Sequence, residues 1–529
     1  MGDLVPVRSN GGPSQSFRVV RVFRGLFSSE LCWACLVVFA SFAVFATIRA
    51  PIPGVNEPHY LCKARHFWEP TWCQRDFFLV STDAHTVFFA TIGVLTRFLS
   101  LEQSAWVGRV VAWLLLAVGW TRLTTTLTGS ARCAVWSAWL FLLLQAIGNF
   151  SGEWVIGGVE AKCFAYAFVW LALEALHRIR HRTAAAWLGL AISFHPVVGG
   201  WGLLSLGPVY LVSRCTEHPE EQKWTEWVIA GMILIVCSLP GLVPAVTIVF
   251  SGNEATGQAD AIQVFERLGH HLNPGQFPWE AYAMYGGLLV VWLVRRLITL
   301  EATHRNRLFH LTVATSVGFA ASGVLFGIVR PTPWMMKFYP IRLADILLPM
   351  AVAVTVASGI DQLLALARSA QSTMLRRGLP LVMYFAWGAA LVTSLSLPVE
   401  PNPTRNDKLT DKFWQDWRAA CGWIRDNTPP DSLFITPSYS WSFKWYAQRA
   451  EFVSFKDCPQ DAAGIVEWKR RIEFWEQWRN DYLAADFSPD QLVRLQLDTG
   501  ADYMIAHRLY AVQLTPIFRN DTFAVYRLP

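Results

Sequence analysis

From residue 31 to residue 398 the chain alternates apolar runs with short polar stretches. Runs of about 15–25 residues are the pattern of membrane-crossing helices rather than of a soluble core. The first, 31–50 (LCWACLVVFASFAVFATIRA), is long enough to cross a bilayer. Arg8, Arg18, Arg21 and Arg24 precede it, and it is too long for a signal-peptide core. Residues 1–30 are therefore expected in the cytoplasm, and residue 51 outside.

Arginine placement orients most of the chain. Arg295, Arg296, Arg305 and Arg307 link spans near 282–298 and 308–330, while Arg368, Arg376 and Arg377 link spans near 341–363 and 378–398. Both links are expected to be cytoplasmic, which makes 251–281, 331–340 and everything after about 399 external. Arg122, Arg132, Arg178, Arg180 and Arg182 also favour the cytoplasm, leaving 149–160 outside. Parity then allows one net crossing before Arg122, although 83–121 holds two apolar segments, so 83–98 is expected to be short, re-entrant or interfacial. Segments 183–195 and 197–213 meet at His195-Pro196 as a tight pair. The count is about eleven crossings, as parity between a cytoplasmic start and an external end requires an odd number.

Beyond 399 the pattern changes. Trp414, Trp417 and Trp423 lie on a predicted helix that stops before Thr428-Pro429-Pro430. LFIT (433–436), EFVSF (451–455), DYMIA (502–506) and FAVYRL (523–528) read as short strands, and 461–485 repeats Ile465, Trp468, Ile472, Trp475 and Tyr482 at helical spacing. The fold class is mainly α: a polytopic helical membrane domain over 31–398, with an outer loop 51–82, followed by a non-cytoplasmic α/β domain over 399–529.

Composition narrows the class further. Of 529 residues 53% are hydrophobic and only 16% charged, against roughly 25% charged in soluble domains. The 26 tryptophans suit aromatic belts at two interfaces. The net charge of +6 is spread over loops and forms no nucleic-acid footprint, so membrane lipids, not nucleic acid, are the expected surroundings.

Three stretches carry candidate chemistry. In loop 51–82, Asn56 can cap a helix with Pro58 in its first turn. Tyr60, Leu61, Ala64, Phe67 and Trp68 fall on one face and Lys63 and His66 elsewhere, an interfacial amphipathic helix presenting Glu57 and His59 at the membrane boundary. Asp76, Asp83 and His85 come next in the chain. A general base needs such a fixed, partly desolvated setting; the plainer reading is a solvated loop whose acids punctuate helices. The second stretch is Gly157-Gly158-Val159-Glu160-Ala161-Lys162, with Glu153 in the same loop. Residues two apart do not face each other on a helix, so Glu160 and Lys162 are expected to have separate partners. The third places Arg330, Lys337 and Arg342 on the outer face, with Asp345 in the next span. Cations there run against the positive-inside trend, and a lipid-linked phosphate would explain them; the plainer reading is snorkelling.

Other features are weaker. His195 reads as a core histidine, and His270-His271 with Glu266 is a poor metal signal. The pairs Cys62/Cys73 and Cys421/Cys458 share external regions in which disulfides can form. No Asp-x-Asp motif marks a divalent metal in loop 51–82, and no cofactor is expected.

This arrangement of one span, an outer loop with an acid on a juxtamembrane helix, further short spans and an outer α/β domain resembles the GT-C superfamily of integral membrane glycosyltransferases. The protein O-mannosyltransferases and the aminoarabinose transferase of lipid A are members. The stretches CGWIRDNTPPDSLFITP, GADYMIAHR and TFAVYRLP look like the outer domain of bacterial members, which implies a bacterial inner membrane with the C-terminal domain in the periplasm. The resemblance implies a sugar donor on a polyprenyl phosphate, a glycan, lipid or protein acceptor, and no obligatory metal. It makes Glu57 the loop acid that deprotonates the acceptor and Glu160 similar to a second acid. Lys337 and Arg342, with Arg330 in reserve, would hold the lipid phosphate, with His59, Lys162 and Asp76 as further substrate contacts and Arg449 and Lys456 reaching in from the outer domain. Family members often carry Asp or Asp-Glu where this chain has Asn56-Glu57. A second reading is a non-catalytic transporter or scaffold for lipid-linked glycans.

Overall fold

The computed structural model describes residues 29–147, 149–217, 224–250, 255–298, 306–369, 373–397, 411–437, 442–482, 487–510 and 512–529. Nearly all of the 1–30 segment, Arg305 and the boundary placed at 399 lie outside the described residues.

The first bundle helix, α1 (Ser29–Arg49), is followed by α2 (Glu57–Trp68), which lies in the loop region rather than in a span. The apolar stretch 83–98 makes only a five-residue turn of helix (Thr86–Ala90) and a 3₁₀ segment (Ile92–Arg97). It is too short to cross, as the parity argument requires. A 28-residue helix comes next, α3 (Leu101–Thr128), whose Ser100–Gln103 capping box fixes its start. Arg122, expected on the cytoplasmic side, sits near its far end and bonds Glu174 at 3.2 Å.

The bundle continues through α4 (Ala131–Ile147), α5 (Ala161–His177), α6 (His181–Phe194), α7 (Pro196–Glu217), α8 (Trp224–Phe250), α9 (Trp279–Ile298), α10 (Arg307–Val329), α11 (Ala344–Ser369) and α12 (Thr373–Ser396). Among the described residues eight helices are long and apolar enough to cross a membrane, and α4 is a shorter apolar one. Helices α5 and α6 are shorter than a full crossing, and α5 is buried along almost its whole length at the centre. Close helix approach holds this middle together: a Cβ at Gly241 would lie 2.0 Å from the Ser193 carbonyl, and the Ser193 hydroxyl donates to Cys237 O at 2.6 Å. Small residues and hydroxyls at such crossings are the usual adhesive of membrane helices.

The C-terminal domain has a five-stranded sheet in the order β2 (Ala450–Glu451), β1 (Leu433–Ile435), β3 (Tyr503–His507), β5 (Phe523–Arg527), β4 (Phe518–Arg519). The strand at β1 is parallel to both neighbours, while β3, β5 and β4 run antiparallel. Three longer helices accompany it: α13 (Asp411–Asn427), α14 (Ala462–Tyr482) and α15 (Pro489–Thr499). The strand expected over 451–455 shrinks to two residues, because the chain beyond Glu451 turns away to meet loop 51–82.

This domain covers one end of the bundle. Arg75 reaches Asp502 at 2.5 Å, Thr82 donates to Asp461 at 3.0 Å, and Arg471 lies 4.2 Å from the Phe77 ring centre. Beneath it α2 is buried on nearly every side, so it is not the half-exposed interfacial helix its pattern suggests. Even Lys63 is 2% exposed, donating to the Phe78, Leu79 and Ser81 carbonyls at 2.8–3.2 Å.

A candidate active site beneath the C-terminal domain

The candidate residues sort into three adjacent groups at the covered end. The first is an ion pair. Glu57 is fully buried, and both its oxygens are occupied. Oε1 accepts from Arg109 Nε at 2.6 Å and Val159 N at 3.0 Å, and Oε2 accepts from Arg109 Nη2 at 2.7 Å and Gly54 N at 2.6 Å. Gly158 permits this approach, since a Cβ there would lie 3.1 Å from Oε1. With four donors and no exposure, Glu57 ties loop 51–57 to α3 and to the 149–160 loop. That geometry gives it an anchoring position, not that of a base with a lone pair open to an acceptor.

The second group is a line of alternating charges. Lys162 Nζ lies 3.5 Å from Glu160 and 3.6 Å from Glu153, and Arg342 Nε lies 3.3 Å from the same Glu153 oxygen. Glu160 is 2% exposed, Glu153 4% and Lys162 6%. The expectation of separate partners for Glu160 and Lys162 fails because Glu160 is the extended residue before α5, with φ −145° and ψ 158°. Helical spacing therefore does not govern the pair. Burial raises the Glu160 carboxyl above its ordinary range, with Lys162 and the Asn56 amide opposing.

Neighbouring side chains hold this line in place. Asn56 does not cap α2 with its side chain; its Nδ2 donates to Glu160 Oε1 at 2.5 Å. Asp345 shapes the loop carrying Glu153, accepting from Phe150 N at 2.7 Å, Ser151 N at 2.9 Å and the Ser151 hydroxyl at 2.8 Å. His271 meets Ser151 O at 2.6 Å and so braces this loop. Lys162 Nζ sits 4.1 Å from the Trp154 ring centre, and Arg342 stacks 3.8 Å from that of Tyr339. His195 Nε2 lies 3.3 Å from Arg342 Nη1, which places that histidine at the site. One polar atom is left over: Glu153 Oε1 is buried with no hydrogen-bond partner.

From the C-terminal domain, Lys456 adds a cation whose pKa is lowered to about 8 by burial and by Arg267, with Glu160 acting in the opposite direction. Arg267 donates to the Lys456 carbonyl at 2.9 Å. Arg449 is elsewhere, bonded to Thr428 and the Arg425 carbonyl within its own domain. The remaining cations separate: Lys337 is paired with Asp260 at 2.8 Å, and Arg330 is exposed.

The third group absorbs Asp76 and His59. Lys444, 1% exposed, is enclosed by Asp457 at 2.7 Å, Asp76 at 3.3 Å and Glu451. His59 Nδ1 donates to Asp457 at 2.9 Å, and its ring stacks on Phe78 at 4.4 Å. Asp76 also accepts from Leu79 N at 2.9 Å and Glu451 N at 3.0 Å. Burial lowers the His59 pKa, with Asp457 opposing, and raises Glu451 to about 7, while Lys444 holds Asp457 low. This hub joins loop 51–82 to the C-terminal domain, so Asp76 and His59 fasten the cover rather than line the charge network.

Arg109 and Lys444 are the residues a sequence reading overlooks. Arg109 had a signal, a lone cation inside an apolar span, which demands a buried acid. Lys444 had none, since Asp76, far back in the chain, and the turn that brings Glu451 and Asp457 to it leave no local pattern. Cys62, Cys73, Cys421 and Cys458 are all free. Among the described residues no group of His, Cys, Asp and Glu is disposed to hold a metal.

Residues 415–474 match a family model described as a domain of unknown function (DUF6798). No curated protein matches the chain. Among solved structures the chain is similar to ArnT from Cupriavidus metallidurans in the apo state, at 13% identity and a TM-score of 0.47, covering 94% of this chain and 98% of that one.

Proposed function

We propose that this chain is a membrane glycosyltransferase that moves a sugar from a polyprenyl-phosphate-type donor to an acceptor hydroxyl beneath the C-terminal domain. The arginine parity supports the non-cytoplasmic face, and the family resemblance supports a bacterial inner membrane with a periplasmic domain. The observation that carries the reading is the alternation Glu160–Lys162–Glu153–Arg342, buried in its first three members and half-buried at Arg342. Three buried charges and a half-buried arginine at a membrane boundary are costly, and a hydrophobic replacement would often be as stable. Their convergence, with the Glu153 Oε1 atom unbonded, supports a working site.

In this reading Glu160 rather than Glu57 is the base, because both Glu57 oxygens are already occupied. Glu160 has an elevated pKa, which suits a general base, and Asn56 orients it. The acceptor oxygen attacks the anomeric carbon while Glu160 takes its proton. The bond from that carbon to the phosphate oxygen breaks, and its electron pair leaves with the lipid phosphate. Arg342 meets the developing charge, with Lys456 as a further cation from the C-terminal domain. Glu153 and His195 set the direction of the Arg342 guanidinium.

The test compares Glu160→Gln with wild type for release of polyprenyl phosphate from a panel of polyprenyl-phosphate-linked pentoses and hexoses. Loss of release with retained folding supports the reading. A wild-type protein that binds these lipids but never cleaves one favours a carrier or scaffold instead.

A further inference from the structure

At the opposite end of the bundle lies a polar cavity of about 70 Å³ that the proposed transfer does not use. It is bounded by the end of α3, the end of α9, the start of α10 and the second half of α11. Ser358 on its wall is thirteen residues beyond Asp345, about 20 Å along α11 at 1.5 Å per residue. The cavity therefore faces the other leaflet from the charge network. Its volume is several times what one buried water requires.

The lining is unusual in its chemistry. It includes Arg295, Arg296, Asn306, His310, Ser358 and Gln362 and, among the described residues, no carboxylate. Asp361, on the same turn as Gln362, is turned to Arg132 at 3.4 Å. Arg295 Nη2 bonds Gln362 Oε1 at 3.4 Å, which holds its guanidinium at the wall. His310 Nδ1 accepts the Trp292 indole N–H at 3.1 Å, so a neutral ring carries its proton on Nε2 and is a donor. Asn306 Oδ1 is buried and unbonded, an acceptor waiting for a donor. Arginines at this end also orient the chain, but Arg376 and Arg377 at the same end are exposed, whereas Arg295 and Arg296 are half-buried between helices.

We propose that this cavity binds a phosphate monoanion or diester, in the membrane the headgroup of an anionic phospholipid. The two guanidinia and His310 donate to the phosphate oxygens, and a headgroup hydroxyl donates to Asn306 Oδ1. Basic pockets between membrane helices suit such headgroups. The assignment is independent of the transfer reaction at the other end.

The experiment uses the full chain in neutral detergent, with dioleoylphosphatidylglycerol, dioleoylphosphatidylcholine or inorganic phosphate added. Native mass spectrometry and thermal unfolding read retention and stabilisation. The expected result is a saturable phosphatidylglycerol adduct that phosphatidylcholine does not match. Arg295→Gln/Arg296→Gln should weaken it roughly tenfold to thirtyfold, while Arg376→Gln/Arg377→Gln leaves it unchanged. Ser358→Leu, which fills the cavity without removing charge, should weaken it as well and serves if the double variant does not fold. Stabilisation by inorganic phosphate with the same variant pattern, and none by the lipid, supports the anion site with a free phosphate as its ligand. Equal loss in both arginine pairs, a full adduct in Ser358→Leu, or no stabilisation by either probe overturns it.

Discussion

Glu57 and Arg109 are joined by two short hydrogen bonds, 2.6 and 2.7 Å, with neither side chain exposed. Removing one partner leaves the other buried and uncompensated, which costs about 3–5 kcal/mol. Glu57→Gln and Arg109→Met should each lower the unfolding temperature and yield of folded protein. The double variant should recover part of the loss. Thermal unfolding in detergent measures this, and a Glu57→Gln protein as stable as wild type but inactive would return Glu57 to the role of base.

The hub around Lys444 fastens the C-terminal domain. Lys444→Met would leave Asp76, Glu451 and Asp457 without their shared cation, again a loss of about 3–5 kcal/mol. Limited proteolysis should then release the domain at protease levels that leave wild type intact.

The same hub gives stability a pH dependence. Glu451 is raised from 4.5 to about 7 by burial, so the folded state holds a proton that the unfolded chain releases above its ordinary pKa. Its contribution is complete below about 4.5 and is lost as pH rises through about 7. Unfolding temperatures measured from pH 5 to 8 should fall for wild type relative to Glu451→Gln, whose curve should be flatter across that window. A window unchanged by the substitution would remove Glu451 as its source.

The loop carrying Glu153 depends on Asp345, which accepts four hydrogen bonds from residues 150–153. Asp345→Ala should raise hydrogen exchange over 149–160 and reduce turnover about tenfold or more through misplacement of Glu153 and Arg342. Unchanged exchange in that loop would show that Asp345 does not set its shape.

Much of this architecture was legible in the chain. Arginine spacing set the parity that made 83–98 non-crossing, and tryptophan periodicity marked α13 and α14. Helix α15 was missed although Ser488 and Gln491 form a capping box. The site was legible only in part. Glu160, Lys162 and Arg342, singled out from the chain, do come together, but local spacing argued against the Glu160–Lys162 contact, because a residue before a helix start does not obey helical geometry. Glu57 stood out for its position, yet its role depended on Arg109, 52 positions away. His59 and Asp76 looked open for the same reason: Lys444 and Asp457, which occupy them, lie more than 360 residues on.

The central claim is that Glu160 takes the acceptor's proton. Its most direct test is the single-turnover rate of sugar transfer from a polyprenyl-phosphate donor by Glu160→Gln, beside its unfolding temperature and donor affinity. The account predicts a rate lowered by about 10²–10⁴, with stability and donor binding close to wild type. A Glu160→Gln protein that transfers sugar at the wild-type rate would contradict it.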